Sequence, residues 1–332
     1  MIVAIAMLTV LSAQTPYEDC YQATDAEYAA AFGDKDEVSF DQFIRSNAHQ
    51  LLAQGHDPKM LLVAGFLGST QRSTEDEAAL LEAGWSAVGP HPFLLSTVAE
   101  NCIKNGQTYS SLCAEPLEQQ IIAGAPDNAW TWLNLARLAW MRGDIDAGYA
   151  AMQRATEAPG IENPYMSALQ LLASVFPNSQ GDEEPTNNAQ YINMNAVILA
   201  VAIPSYTELL QLCQSEPAIG HLRTDKVAIC RNALLKLVDS TANIDIEFAH
   251  TELAHYDLKR RQQAHIDHRY AEKEKQSRLN FELQCQLSPA QMLEIYDWKF
   301  WEAMMYEGEL IAVDTAIDSA KQLGITVDLE LP

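Results

Sequence analysis

Three prolines, Pro58, Pro92 and Pro126, stand 34 residues apart. Each opens a run whose apolar residues recur at three- and four-residue spacing, the period of an amphipathic helix. Proline is tolerated in a first helical turn because the N–H it lacks has no partner there. A spacing of about 34 residues is the length of one helix–turn–helix unit, too short to bury its own apolar face and therefore suited to stacking. The spacing thus favours a row of helix pairs over a sheet. Val, Ile and Thr form no alternating runs bounded by hairpin turns, so strands are not expected.

The clearest unit is NAWTWLNLARLAWMRGDIDAGYAAMQRATEAPG, Asn128 to Gly160. Its pattern resembles the tetratricopeptide motif: a large residue at Trp132, Leu135 and small Ala136 after it, Gly143 at the turn, small Gly148 in the second helix and Ala155 near its end. The resemblance implies an antiparallel helix pair with Ala136 facing Gly148 at the crossing and Gly143 taking the positive φ that ends the first helix. Shifted back by one and two units, the first small slot holds Cys102 and Gly68. The match spans about residues 58–160 and is degenerate in its first two units.

The expected fold is therefore all-α: a tetratricopeptide-like right-handed superhelix of antiparallel helix pairs over 24–176, then a further helical region over 189–332. Between them PNSQGDEEPTNN, 177–188, has no apolar residue and reads as a linker or loop. Expected helices in the first half run 40–54, 58–69, 74–88, 92–105, 114–123, 128–142, 144–158 and 162–175. Those of the second half run 190–213, 224–240, 244–280, 288–306 and 309–323, with Ser288 as N-cap and Pro289 in the first turn.

The N-terminal stretch from Ile2 to Ala13 is uncharged and about a dozen residues long, too short for a membrane span of about 20 residues. Residues 1–13 read as a secretory signal cleaved near Ala13, although no Lys or Arg precedes the apolar run. A buried N-terminal helix is the alternative. The reading places the protein in the periplasm or outside the cell. Six cysteines then suggest disulfides. In the repeat register Cys102 and Cys113 fall near one helix crossing, so the resemblance implies that they pair. Cys213 and Cys230 similarly flank a turn at Pro217–Gly220. Cys20 and Cys285 remain by elimination alone, and the sequence does not fix their pairing.

Charge excludes some partners. The chain has 45 acidic against 21 basic residues, net −24. Such a surface repels phosphate backbones, so no nucleic-acid partner is expected. The strongest later apolar run, Ala196 to Pro204, stops after nine residues, so no stable membrane insertion is expected either. The tetratricopeptide resemblance implies a groove lined by first helices. Its slots fall on Trp130, Leu133, Arg137, Trp140 and Met141 of the third unit and on Ser96, Ala99 and Ile103 of the second, and a protein or peptide is the expected occupant. In the competing view Trp130, Trp132 and Trp140 only pack against neighbouring helices.

A second constellation is His250, His255, His265 and His268 on one expected long helix. His265 and His268, three apart, share a face and could hold one metal. His250 and His255 diverge by about 140° around such a helix. Neither HExxH, GxSxG nor a phosphate-binding glycine loop occurs. The expected function is non-enzymatic binding or scaffolding in the cell envelope, with no cofactor. A metal-dependent hydrolase built on the His250–His268 helix is the alternative.

Overall fold

The computed structural model describes residues 20–24, 26, 27, 30, 116–164, 166, 170, 206–214 and 223–325. The expected signal segment, the first two repeat units, Ser96, Ala99, Ile103, the Cys102–Cys113 pair and the linker at 177–188 lie outside them. Within them the fold is all-α, and no strand forms among the described residues.

Three helices make the first block: α1 (Pro116–Gly124), α2 (Ala129–Met141) and α3 (Ile145–Glu157). Local chemistry sets their ends. Asn128 caps α2 by accepting from the Trp130 N–H at 3.1 Å, and Asp144 caps α3 by accepting from Ala147 N–H at 3.0 Å. Between them Gly143 takes φ +77°, as its slot requires. It donates to the Trp140 carbonyl, while Asp144 donates to that of Ala139. Gly148 lies at the crossing: a Cβ there would stand 3.5 Å from the Ala136 carbonyl and 3.0 Å from a Leu212 methyl. The close approach is thus to α2 and also to a helix from the second half.

That helix is α4 (Thr207–Gln214), followed by α5 (Arg223–Leu237), α6 (Asn243–Leu253), α7 (Arg260–Gln286), α8 (Pro289–Ile295), α9 (Trp298–Tyr306) and α10 (Glu309–Gln322). Helix α4 packs on α2 and α3, α5 on α3 and α6, and α10 on α7, α8 and α9. The two halves share one apolar core, in which Trp130, Leu133, Met152 and Ala155 meet Leu209, Leu212, Leu234, Leu237 and Leu253.

Two expected helices are each broken. The run 244–280 ends at Leu253 and resumes at Arg260. No Gly or Pro marks the break. The chain leaves the helix so that Leu253, Tyr256 and Leu258 all reach the core that α5 presents, which a straight helix would not permit. Helix α7 then continues to Gln286. The run 288–306 is divided at Tyr296–Asp297, because the Asp297 side chain accepts from Lys299 and Phe300 N–H (2.9 and 3.2 Å) and starts a new helix. Ser288 caps α8 as expected, with Gln291 closing the reciprocal bond at 3.0 Å.

Disulfides join Cys213 to Cys230, with Cα atoms 5.8 Å apart, and Cys20 to Cys285, with Cα atoms 4.5 Å apart. The first clips α4 to α5. The second fastens the segment at 20–24 to the end of α7, where Tyr21 N–H also donates to the Cys285 carbonyl at 2.6 Å. No described helix is long and apolar enough to cross a membrane.

Candidate functional site

The third-unit residues assigned to the groove lie on α2, and the chain itself covers most of them. Trp130 is 1% exposed, Leu133 1% and Arg137 0%. Helix α4 lies across this face. The Arg137 guanidinium donates through Nε and Nη2 to Glu208 Oε2, at 3.1 and 3.0 Å, and through Nη1 to Asn134 Oδ1 at 3.2 Å. The Trp140 indole donates to Gln211 Oε1 at 2.9 Å, and Tyr149 OH to the Leu212 carbonyl at 2.8 Å. Leu209 and Leu212 fill the apolar floor. Only Trp140, half-buried, and Met141, 49% exposed, reach the rim. The face therefore accommodates an amphipathic helix with a carboxylate over Arg137, and in this structure the helix belongs to the same chain.

Beside this face is a node of buried polar groups that sequence reasoning missed. The Asp245 carboxylate, on the first turn of α6, is fully buried and accepts four bonds. Trp130 Nε1 donates at 3.1 Å, Asn163 Nδ2 at 2.9 Å, Tyr206 OH at 2.5 Å and Ser240 Oγ at 2.5 Å. Burial pushes its pKa up, and the four donors pull it back. Burial likewise raises the Tyr206 hydroxyl, with the Asp245 charge adding to it. A carboxylate has about four lone-pair sites. All four are used here, which leaves none for a substrate. The node is a clamp, joining α2, the chain after α3, the start of α4 and the start of α6.

Glu309 is a second buried acid, 8% exposed, at the start of α10. Its Oε2 accepts from Asn243 N–H at 2.6 Å, capping α6 from another helix because Ala242 offers no side-chain cap. Burial raises its pKa to about 7, with Asp245 adding to the rise and the Asn243 bond and Lys273 opposing it. Lys273, itself buried, pairs with Glu247 and Glu274. Burial pulls its ammonium pKa down, but the bonds it donates to the two carboxylates outweigh that and leave it raised. Both acids were detectable in principle. Asp245 shares the stripe Ile246, Ala249, Leu253, and Glu309 shares the stripe Ala312, Val313, Ala316, Ile317. An acid on a buried stripe requires a donor.

The four histidines do not share one helix. His250 is on α6 and stacks on Tyr270 with ring centroids 3.7 Å apart. His255 is in the connection, and His265 and His268 are on α7. His265 Nε2 lies 2.9 Å from Asp239 Oδ1, and His268 Nε2 3.5 Å from Glu272 Oε1. Each therefore faces its own carboxylate rather than a common point. Among the described residues no three His, Cys, Asp or Glu side chains gather in a metal-binding arrangement.

The open space is elsewhere on the same hairpin. A cleft of about 350 Å³ is lined by Glu118, Trp132, Leu135, Ala139, Arg142, Asp144, Ala147, Ala150, Ala151 and Arg154. Alanines form its floor. The Trp132 indole, held by a bond to the Pro126 carbonyl at 2.8 Å, forms one wall, and the Glu118–Arg142 pair lies at its edge. This mixture suits contact with a protein surface. It contains no paired nucleophile and base.

No protein-family model matches the chain, and no curated protein and no solved structure matches it either.

Proposed function

We propose that the protein is a non-enzymatic binding or scaffolding protein of the cell envelope, built on a tetratricopeptide-like superhelix, with a protein or peptide as its partner. One observation carries the repeat reading. The Asn128 side chain, at the head of the unit, bonds to Glu162 one period later: Nδ2 donates to the Glu162 carbonyl and Oδ1 accepts from its N–H, both at 3.0 Å across a separation of 34 residues. Ala129 N–H and Gly160 N–H extend the same link, so the chain leaving one unit returns to the position at which that unit began. This closure supports the reading of a repeat of that period.

The binding reading rests on α2. Its inner face already holds a helix, and its other side opens into the 350 Å³ cleft. A fold that presents helix faces to other helices is used mainly for recognition, and that step is an analogy of fold. The two disulfides fit an exported protein.

The test is capture of partners from envelope extract by the wild type and by two variants, Ala147→Trp in the cleft and Trp140→Ala at the rim. Ala147 is exposed, so the cleft can be filled without disturbing the core. The cleft variant loses the captured protein while its circular dichroism and melting temperature stay unchanged. Identical capture by wild type and both variants sinks the reading. Six free thiols in the denatured, unreduced protein would contradict export.

A further inference from the structure

The chain contains one run of consecutive basic residues, Lys259-Arg260-Arg261. In a protein of net charge −24 its position is unusual. The run lies at the entry to α7, with Lys259 as N-cap and the two arginines in the first turn, and the first turn contains no acid. The helix macrodipole places about half a positive charge at that end, so each cation there is unfavourable. Every other charge-bearing helix entry in the described second half has an acid in its first turn or an aspartate cap, apart from the short α8. All three basic side chains are exposed, and none of them is in an ion pair among the described residues. The neighbouring Arg269 and Lys273, in contrast, are paired. The backbone before the run is irregular, with Leu258 packed on the core and Asp257 exposed, and the bonds to be cut lie in the first turn of α7. Asp257, Leu258 and Lys259 have no regular structure, Lys259 is extended (φ −67°, ψ 143°), and the repelled first turn is the part of α7 most ready to fray.

We infer that Lys259-Arg260-Arg261 is a processing site for an endoprotease specific for paired basic residues, and that the cleaved protein persists as two chains joined by the Cys20–Cys285 disulfide. The step is hydrolysis after Arg260 or Arg261. Water adds across the peptide bond, leaving a carboxylate on the new C-terminus and an ammonium on the new N-terminus. The partner is defined by its chemistry: a protease whose specificity pockets carry carboxylates, since those must receive adjacent guanidinium groups. The disulfide makes the outcome specific. Cys20 lies before the cut and Cys285 after it, so the fragments stay covalently linked, whereas Cys213–Cys230 lies wholly in the first fragment. The cut also leaves the packing intact. Helices α5, α6 and α7 remain joined by His265 with Asp239, by Arg269 with the Val238 and Ser240 carbonyls and by Lys273 with Glu247. Cleavage after Arg261 replaces the three cations at the positive end of α7 with the single ammonium of the new N-terminus at Gln262.

Protein isolated from its native source is run on denaturing gels with and without reductant, and its N-termini are sequenced. The expected result is one band without reductant, two with it, and a second N-terminus at Arg261 or Gln262. In parallel, intact unreduced recombinant protein is treated with a paired-basic-specific endoprotease. It is cut at the same place with its helical circular dichroism retained. A variant carrying Lys259→Gln, Arg260→Gln and Arg261→Gln together resists the enzyme and melts no lower than wild type, as expected when cations leave a helix N-terminus. A native protein that remains one chain after reduction overturns the proposal. So does recombinant protein that resists an enzyme dose sufficient to cleave its denatured form.

Discussion

The α2–α3 hairpin and the α6–α10 region are both helical, yet different physics holds them together. The hairpin closes locally: Asn128 and Asp144 cap its helices, Gly143 turns the chain, and Ala136 and Gly148 let the backbones approach. Its determinants lie within one repeat length. The second region depends on buried charge supplied from afar. Asp245 draws its donors from positions up to 115 residues away, α6 is capped by Glu309 from a helix 66 residues later, and Lys273 is neutralised by Glu247 on another helix. The hairpin is written in a motif, and the second region in long-range pairs. Hydrogen bonds to buried carboxylates are directional and costly to leave unmade, so the second region gains a unique arrangement at the risk of large losses.

The largest effect should come from the node. Asp245→Ala removes the acceptor for four donors and leaves Trp130, Asn163, Tyr206 and Ser240 buried without it. About 4 kcal/mol of stability should be lost, read as a shift of the urea midpoint. Because the node also binds the hairpin, α2 and α6 should lose amide protection together. If the hairpin keeps its protection while α6 loses it, the two regions are less interdependent than argued.

Glu309 predicts an effect of opposite sign. Burial holds its pKa at about 7, above the ordinary 4.5, so the folded state prefers the neutral acid. The resulting stabilisation is complete below pH 4.5 and is lost as pH rises through 7. Glu309→Gln keeps an oxygen to accept from Asn243 N–H and removes the charge. It should match wild type near pH 4 and exceed it by up to about 3 kcal/mol at pH 8. A wild-type stability curve that is flat between pH 4.5 and 8, once other carboxylates are allowed for with the Gln variant, would falsify this account of the cap.

These differences also explain what was legible in the sequence. The helices at 128–142 and 144–158 were expected within a residue of their observed ends, because Asn128, Gly143 and Asp144 are local signals. The Ser288 cap was legible for the same reason. The break between Leu253 and Arg260 was not, since the chain there leaves the helix to bring Tyr256 and Leu258 to a core built by α5. The break at Tyr296–Asp297 was not legible either, since Trp298, Phe300 and Trp301 continue the apolar pattern across it. The residues expected to line a groove, Trp130 to Trp140, fall on a face of α2 that the chain itself largely covers. That α4 would cover it was not legible, because the contact of Arg137 with Glu208 spans 71 residues and the linker between them has no signal of where it leads.

The Cys213–Cys230 disulfide tests whether α4 belongs to the hairpin or to the second region. It closes a loop of separation 17, for which chain entropy gives about 3 kcal/mol. Replacing both cysteines with serine should cost about 3 kcal/mol from chain entropy, and somewhat more because a Ser hydroxyl enters the buried Cys230 site, while Arg137, Trp140 and Tyr149 still hold α4. Because the chain has six tryptophans, the emission of Trp140 is taken as the difference between each protein and its Trp140→Phe counterpart, and it reports the local outcome. If α4 remains seated by its polar contacts, the emission maximum of the folded double variant stays that of wild type, and the loss is in global stability alone. A red shift in the folded state would mean that the clip to α5, rather than the Glu208–Arg137 bond, holds α4 in place.

The smallest effects come from two turn glycines, and they separate local from tertiary dependence most cleanly. Gly143 and Gly308 both have positive φ, +77° and +100°. A Cβ on Gly143 would meet nothing within 4 Å, so Gly143→Ala should cost only the backbone strain, about 1 kcal/mol. A Cβ on Gly308 would stand 2.9 Å from Thr241 Cβ and 3.3 Å from its carbonyl oxygen, on the segment that leads into α6. Gly308→Ala should therefore cost more, about 2 kcal/mol, by adding a clash to the same strain. The excess should shrink when Thr241→Gly removes the opposing Cβ, whereas Thr241→Gly should leave the cost of Gly143→Ala unchanged. Equal costs for the two alanines, or additive behaviour of Gly308→Ala with Thr241→Gly, would mean that the Gly308 turn is as self-contained as the hairpin turn, and the contrast between the regions would then rest on the buried acids alone.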